Sequence, residues 1–192
     1  MAETRRRDAA ATRAAILVSA RRAFARGGYD GVGVREIAEG AGVTAMMVNR
    51  YFGSKEQLFA EVIAQIMAEP TILTRANIEA PDFADRIAAS LVDITATDAT
   101  PLDGFLIMLR SSSSDQAAEV GRAQIEAHYH RVLTEALGGD LAPQRAGILL
   151  AIVSGIQVMR QVLALSALAD ADPADLRALL TPLFRQLLSP DW

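Results

Sequence analysis

The 192-residue chain contains no cysteine. That excludes a disulfide framework and any thiolate metal site. Aromatic residues are scarce, at 5% of the chain, and β-branched residues form no long run. Strands favour both classes, so their shortage beside abundant alanine and leucine points to helices. Lysine occurs once, at Lys55, and arginine supplies every other positive side chain apart from two histidines. The stretch "MAETRRRDAAATRAAIL" has no apolar signal region, and no uncharged apolar run reaches the ~18 residues of a membrane span. A soluble cytoplasmic protein without a membrane partner is the expectation. Apolar residues make up 51% of the chain, enough for a real core and too many for disorder. There is no internal repeat and no low-complexity linker; the serine run at 111–114 comes nearest.

The formal net charge of −4 is unevenly placed. Residues 1–60 carry 10 Lys/Arg and 6 Asp/Glu, a net of +4, while residues 61–192 carry 9 and 17, a net of −8. A basic first third suits a protein whose N-terminal part meets a polyanion; a solvated basic face is the plainer alternative. The acidic remainder argues against a ligand-independent, structural DNA binder, which would be basic throughout.

Apolar spacing and punctuation predict nine helices and no strand. The first runs from Thr12 to Arg26, with Ile16, Ala20, Ala23 and Phe24 on one face, and stops at Gly27-Gly28. The second spans about 34–39. The third runs from an N-cap at Thr44 to Phe52 and ends at Gly53. Ser54 and Gln57 read as a capping box for the fourth, which reaches Glu69. Start signals at Pro81-Asp82, Thr100-Pro101, Ser113 with Gln116, Pro143 and Asp172-Pro173 open the other five. Those end near residues 97, 110, 137, 169 and 188.

The segment "AGVTAMMVNRYFGSKEQLF", residues 41–59, concentrates the unusual residues. Two short helices joined by a tight glycine-containing turn make a helix-turn-helix. Ile37, Ala38, Val43, Val48 and Phe52 supply its inward face, and Gly42 permits a turn that a Cβ would resist. Thr44, Ala45, Met46, Asn49, Arg50 and Tyr51 are left for solvent or a partner. A second helix of this kind reads base edges in the major groove. Asparagine bonds adenine bidentately, and methionine packs on a thymine methyl. Met47 is read as core filler, and Arg50 as either a solvated charge or a contact. Arg5, Arg6 and Arg7 either form a basic arm for the minor groove or fray.

Ile16, Phe24, Gly28-Tyr29, Ile37-Ala38, Ala41-Gly42-Val43, Tyr51-Phe52 and Ser54-Lys55-Glu56 with Leu58 combine into one pattern. Over residues 12 to about 63 it resembles the N-terminal DNA-binding domain of the TetR/AcrR family of transcriptional regulators. The resemblance implies a helix-turn-helix domain at 1–54 and a helical ligand-binding and dimerisation domain at 55–192. It also implies that Lys55, opening the fourth helix, contacts a DNA phosphate, with Tyr51 and Thr44 alongside. The expected DNA-binding set is Arg35, Thr44, Ala45, Met46, Asn49, Arg50, Tyr51 and Lys55. Asn49 departs from the family's usual tyrosine and Met46 from its usual glycine. Met47 stands where small polar residues are common, and Val32-Gly33 where hydroxyl residues often stand. The operator sequence therefore does not follow from the family.

For the remainder, the resemblance implies a homodimer on a palindromic double-stranded DNA operator, and a small-molecule inducer. Repression is the expected sense of control, with activation left open. "AGILLAIVSGIQVMRQVLAL" is apolar on most faces, and "DLRALLTPLFRQLL" carries leucines at helical spacing. Leu149, Ile152, Ile156, Leu176, Leu179, Leu180, Leu183 and Leu187 are the candidate residues of a four-helix interface. Phe83, Phe105, Met108, Leu109, Ile125 and Met159 are candidates for a mostly apolar ligand site. His128, Tyr129, Gln157 and Arg110 are its polar groups. The expected ligand is largely hydrophobic, and no metal or cofactor is expected. Glu126 and His130, four apart on one helix, are the one hint of acid–base chemistry. Nothing supplies the other half of such a site, so no catalytic residue is assigned and no enzyme is expected.

Overall fold

The computed structural model describes residues 2–96, 98–99 and 102–189, with side chains from residue 7 onward. Thr97, Thr100 and Pro101, expected at helix ends, lie outside the described residues, as do the side chains of Arg5 and Arg6. Among the described residues every regular element is a helix, and there are eleven. They are α1 Ala2–Gly27, α2 Val34–Gly40, α3 Ala45–Phe52, α4 Lys55–Met67, α5 Arg75–Ile78, α6 Phe83–Ile94, α7 Asp103–Ser111, α8 at 115–137, α9 Ala142–Val162, α10 Ser166–Ala169 and α11 Pro173–Leu188.

The two helices beyond the nine expected are single turns. In α5, Thr74 Oγ1 accepts from the Asn77 backbone at 3.1 Å, and Asn77 Nδ2 donates to Ile72 O at 2.8 Å. These local side-chain bonds close one turn where the sequence offered only a break. The other arises because α9 stops short of residue 169. A π turn at Val158–Val162 ends it, and Ala164 at φ 49° leaves the helical path before α10 begins. A second π turn, Glu126–His130, interrupts α8 between Asp115–Ile125 and Arg131–Leu137. At the other end of the chain, α1 starts ten residues before the expected Thr12. Residues 5–7 therefore lie within α1.

The chain packs as two compact units, Met1–Ala68 with Leu102–Gln124, and Glu69–Pro101 with Ile125–Trp192. This is a division by packing and differs from a division by role at residue 54. In the first unit, Phe59 meets Phe24 edge-on at 5.1 Å between centroids and Tyr29 at 5.0 Å. Ile16, Ile37, Leu58, Ile63 and Ile107 are fully buried with them. Ser19 Oγ donates to Ile37 O at 2.8 Å, and a Cβ at Gly40 would collide with that hydroxyl, so α1 and α2 pass closely.

In the second unit, α6 packs chiefly against α11. Its core centres on Ile87, Leu91, Leu133, Leu149 and Phe184. Two buried arginines stitch helix ends together. Arg145 donates to Leu187 O at 2.7 Å, Ser189 O at 2.6 Å and Gly138 O at 3.2 Å. Arg160 donates to Leu168 O at 3.0 Å, Val92 O at 2.9 Å and Thr95 Oγ1. The acceptors sit at helix C-termini, where unpaired carbonyls and the macrodipole favour a cation. Burial still pulls the Arg160 guanidinium below its ordinary range. Both arginines lie on α9, which by length and composition is long and apolar enough to cross a membrane.

Candidate functional site

Local chemistry fixes the α2–turn–α3 segment. Gly42 adopts φ 67°, where an L side chain is strained. Around it the backbone closes a paired C-terminal cap: Val43 N donates to Ala38 O at 2.9 Å and Gly42 N to Glu39 O at 3.0 Å. Thr44, extended at φ −91°, then starts α3, its Oγ1 accepting from Met47 N at 3.3 Å. Gly53 at φ 78° ends α3, and Ser54 Oγ accepts from Gln57 N at 3.1 Å to start α4. Four caps within 13 residues thus fix the ends of α2 and α3 and the start of α4.

Packing decides which face α3 presents. Val48 and Phe52 point inward and are buried, as are Ile37 and Ala38 of α2, while Val43 is half-buried. Arg13 of α1 lies over the Phe52 ring at 4.9 Å and pairs with Glu61 of α4, closing the back of the motif. On the other side Thr44, Asn49 and Arg50 are exposed, and Met46 is 81% exposed. Ala45, Met47 and Tyr51 are half-buried, so Met47 serves the core only in part. A methionine that exposed has no role in its own chain's core.

Charge follows the same face. Arg21 and Arg26 are committed to Asp103 and Glu36, and Arg13 to Glu61. Arg35 and Arg50 are exposed and have no carboxylate partner among the described residues. They flank the start of α2 and the last turn of α3. The uncapped N–H groups of the first turn of α3 add partial positive charge beside Thr44. Lys55 differs from the other members of the expected set. It is half-buried, with its ammonium turned into the protein against Tyr29 O and Val32 O.

The candidate dimer residues separate by burial. Leu149, Leu176, Leu180 and Leu187 belong to the second unit's own core, and Ile152 and Ile156 are half-buried against it. Leu179 and Leu183 are 69% and 50% exposed. They are accompanied by residues that the sequence pattern did not single out: Ile148 on α9, and Val162, Leu163 and Leu165 at its end. Gly147 and Gly155 have nothing near their absent Cβ positions, so that side of α9 is open. The pattern missed this because an all-round apolar helix does not reveal which face its own chain covers.

The candidate ligand residues do not all gather in one unit. Phe105, Met108 and Leu109 are half-buried in the first, where the Met108 methyl packs on Gly121. In the second, Phe83 is part of the core, Gln157 is buried, Ile125, His128 and Tyr129 are half-buried, and Met159 is exposed. Burial raises the Tyr129 phenol above its ordinary range, so it stays neutral. Among the described residues, Thr134 Oγ1 and Gln161 Oε1 in that unit are buried without a hydrogen-bond partner, and nothing in the apolar pattern points to either. Arg110 instead donates to Ala25 O, and His130 Nε2 is bonded to Pro143 O at 2.8 Å. Among the described residues no cluster of acidic, His or Cys side chains has the makings of a metal site.

Two family models match the chain. Residues 16–62 match the model described as bacterial regulatory proteins, tetR family, and residues 82–188 match a tetracyclin repressor-like C-terminal domain. None of the curated proteins matches the sequence significantly. Among solved structures, a TetR-family regulator from Streptomyces coelicolor is 24% identical, with 93% of this chain and 95% of that one covered, at a TM-score of 0.59. The fatty acid degradation regulator FadR of Bacillus halodurans is 18% identical, with coverages of 92% and 94% and a TM-score of 0.64. NalD of Pseudomonas aeruginosa, the secondary repressor of the MexAB-OprM multidrug efflux pump, is 20% identical. Its coverages are 94% and 98%, and its TM-score is 0.63.

Proposed function

The chain belongs to the tetR family of bacterial regulatory proteins and is a DNA-binding transcriptional regulator, not an enzyme, and we propose that it acts as a cytoplasmic homodimeric repressor. The operator is an inverted repeat, read by one α3 from each protomer. A small, largely apolar molecule releases the dimer from it. The observation that carries this reading is the outward row of α3. Thr44, Met46, Asn49 and Arg50 are free of the core while Val48 and Phe52 on the opposite side are buried. Residues 1–54 do the reading in this account, and residues 55–192 bind the ligand and the second protomer.

Asn49 and Met46 are assigned to base edges, with adenine and the thymine methyl as their natural targets. Arg35, Arg50, Thr44 and Tyr51 are assigned to backbone phosphates, which position the helix and carry no sequence information. The exposed apolar side chains Ile148, Leu179 and Leu183 support pairing of α9 and α11 with their symmetry mates. For the ligand, the second unit offers a mostly apolar surround with few uncharged polar groups, among them Tyr129 and Gln157. Release requires tighter binding of the ligand to the DNA-incompetent state, and a typical coupling of ~1–3 kcal/mol weakens DNA binding about 5- to 150-fold.

Selection of bound duplexes from random-sequence DNA tests the reading. Recovery of an inverted repeat with half-sites about one helical turn apart is the expected result. Recovery of no preferred sequence, or of a single unrepeated half-site, overturns it.

A further inference from the structure

Within the DNA-binding reading, on which this inference rests, we propose that Ser111 and Gln116, at the α7–α8 corner, are positioning residues for DNA reading that act through Tyr29 on the α1–α2 loop. The serine run at 111–114 divides by burial. Ser111 and Ser114 are buried, while Ser112 and Ser113 are exposed. Both buried hydroxyls serve the loop: Tyr29 N donates to Ser111 Oγ at 2.9 Å, and Ser114 Oγ donates to Asp30 Oδ1 at 3.2 Å. Tyr29 OH donates to Gln116 Oε1 at 2.9 Å, and Gln116 Nε2 donates to Glu56 Oε2 at 2.6 Å. One amide thus ties the loop to the first turn of α4. Arg110 donates to Ala25 O, and Gly28, at φ 66°, sits so close to the Arg110 carbonyl that a Cβ would collide with it. All these residues belong to the first unit.

The loop, residues 28–33, leads directly into α2, and α2 packs on α3. Where the loop stands therefore sets where the outward row of α3 stands. Lys55 depends on the same loop. Its ammonium donates to Tyr29 O at 2.9 Å and to Val32 O at 3.1 Å, and lies 4.2 Å from the centroid of the Tyr29 ring. An ammonium has three N–H groups, so one remains for the phosphate contact that the family resemblance implies. The two loop carbonyls set the direction of that third donor. A backbone shift at Tyr29 thus moves the base-reading face and the ammonium together. The Tyr29 ring is held by Phe24 and Phe59. Ring packing leaves the backbone N–H and the phenol hydroxyl to be satisfied, and the corner satisfies both.

The test compares the full-length parent with Ser111→Ala, Gln116→Met, Tyr29→Phe and, as a control, Ser112→Ala; the exposed Ser112 hydroxyl bonds Leu109 O within its own turn. One readout is affinity for a duplex recovered by selection and for an unselected duplex. The other is amide exchange over residues 28–33. Gln116→Met and Tyr29→Phe should each weaken binding to the selected duplex about three- to tenfold, the size of one net hydrogen bond. Both break the same bond, so the double variant should bind no worse than the weaker-binding single one. Ser111→Ala strands a buried N–H and should weaken binding about tenfold or more. In all three the selected duplex should lose more than the unselected one, a change that lower stability in a protein still folded does not produce. Amide exchange in the loop should speed up as it opens locally, and Ser112→Ala should alter neither readout. If Ser111→Ala does not fold, Gln116→Met and Tyr29→Phe carry the test. Additive losses in the double variant, parental affinity in the folded variants, or unchanged exchange each overturn the proposal. If the parent itself binds no DNA, the DNA-binding reading fails and takes the inference with it, whereas a parent that binds beside variants that bind equally well sinks the positioning role alone.

Discussion

Replacing Leu179 by alanine should loosen a dimer without loosening the fold. Leu179 on α11 is 69% exposed, so its own chain covers little of it. Full burial of a leucine side chain contributes ~1.5–3 kcal/mol. With 69% of that surface still open, burial in an interface leaves about 1–2 kcal/mol for each protomer to gain. Two-fold symmetry applies the loss twice. A total of ~2–4 kcal/mol raises the dimer dissociation constant roughly 30- to 700-fold. Leu180 provides the internal control, because it is adjacent in sequence yet 6% exposed. Leu180→Ala should instead cost ~2–5 kcal/mol of folding stability by opening a cavity. Sedimentation equilibrium gives the dissociation constant, and urea titration gives the stability. A charge at Leu179 or Leu183 should yield folded monomers that lose specific binding. If Leu179→Ala leaves the dissociation constant within about twofold of the parent, or about 0.4 kcal/mol, then α11 does not pair through this face. Tight specific binding by a proven monomer would end the two-fold model altogether.

Arg145→Met removes the donor from three carbonyls at helix ends; the stability loss should be about 2–5 kcal/mol, a fall of roughly 4–20 °C in Tm, and an unchanged melt would show those carbonyls to be satisfied without it. Asn49→Ala should relax preference at one position per half-site, by ~1–3 kcal/mol there; a selection profile identical at every position would make Asn49 a bystander. Met46→Ala should weaken a thymine preference with little change in melting, since Met46 is 81% exposed, and a large loss of stability would contradict that placement. At high pH, burial first and then the Glu56 and Asp30 charges hold the Tyr29 phenol above its ordinary range, and burial does the same for Tyr129. The unfolded chain therefore releases those protons first, so stability should decline as pH rises above about 10. Equilibrium unfolding at stepped pH would show it, and Tyr29→Phe should flatten part of the slope.

The helix-turn-helix was legible because its determinants are local. Gly42, Thr44, Gly53 and Ser54 act on backbone groups within four residues of themselves, and the structure uses each as its residue type suggests. Lys55 was not legible in this way. Its acceptors, Tyr29 O and Val32 O, lie 26 and 23 residues away and are backbone carbonyls, which have no residue signature. Arg145 and Arg160 escaped notice for the same reason. Gln116 was expected to serve a capping box with Ser113, but its amide spans Tyr29 and Glu56 instead. On α9 and α11 the apolar pattern identified the helices but not the outward phase. Leu149, Leu176 and Leu180 proved to be core, and Ile148 and Leu179 faced out. Periodicity ranks positions around a helix only where some of them are polar, and α9 has few.

The first compact unit is assembled from two separated stretches of chain, and that bears on how it is made. Residues 2–68 emerge from the ribosome without α7 or the start of α8, which bring Ile107, Ser111 and Gln116 to this unit. At ~5–20 residues per second, the 56 residues from 69 to 124 take about 3–11 s to synthesise. Throughout that interval the reading helix can form its own caps, but Tyr29 has neither Ser111 nor Gln116 to hold it. The nascent head is then a substrate for chaperones and proteases before it is a reader of DNA. A gene fragment cut after α4 would hold it in that condition permanently.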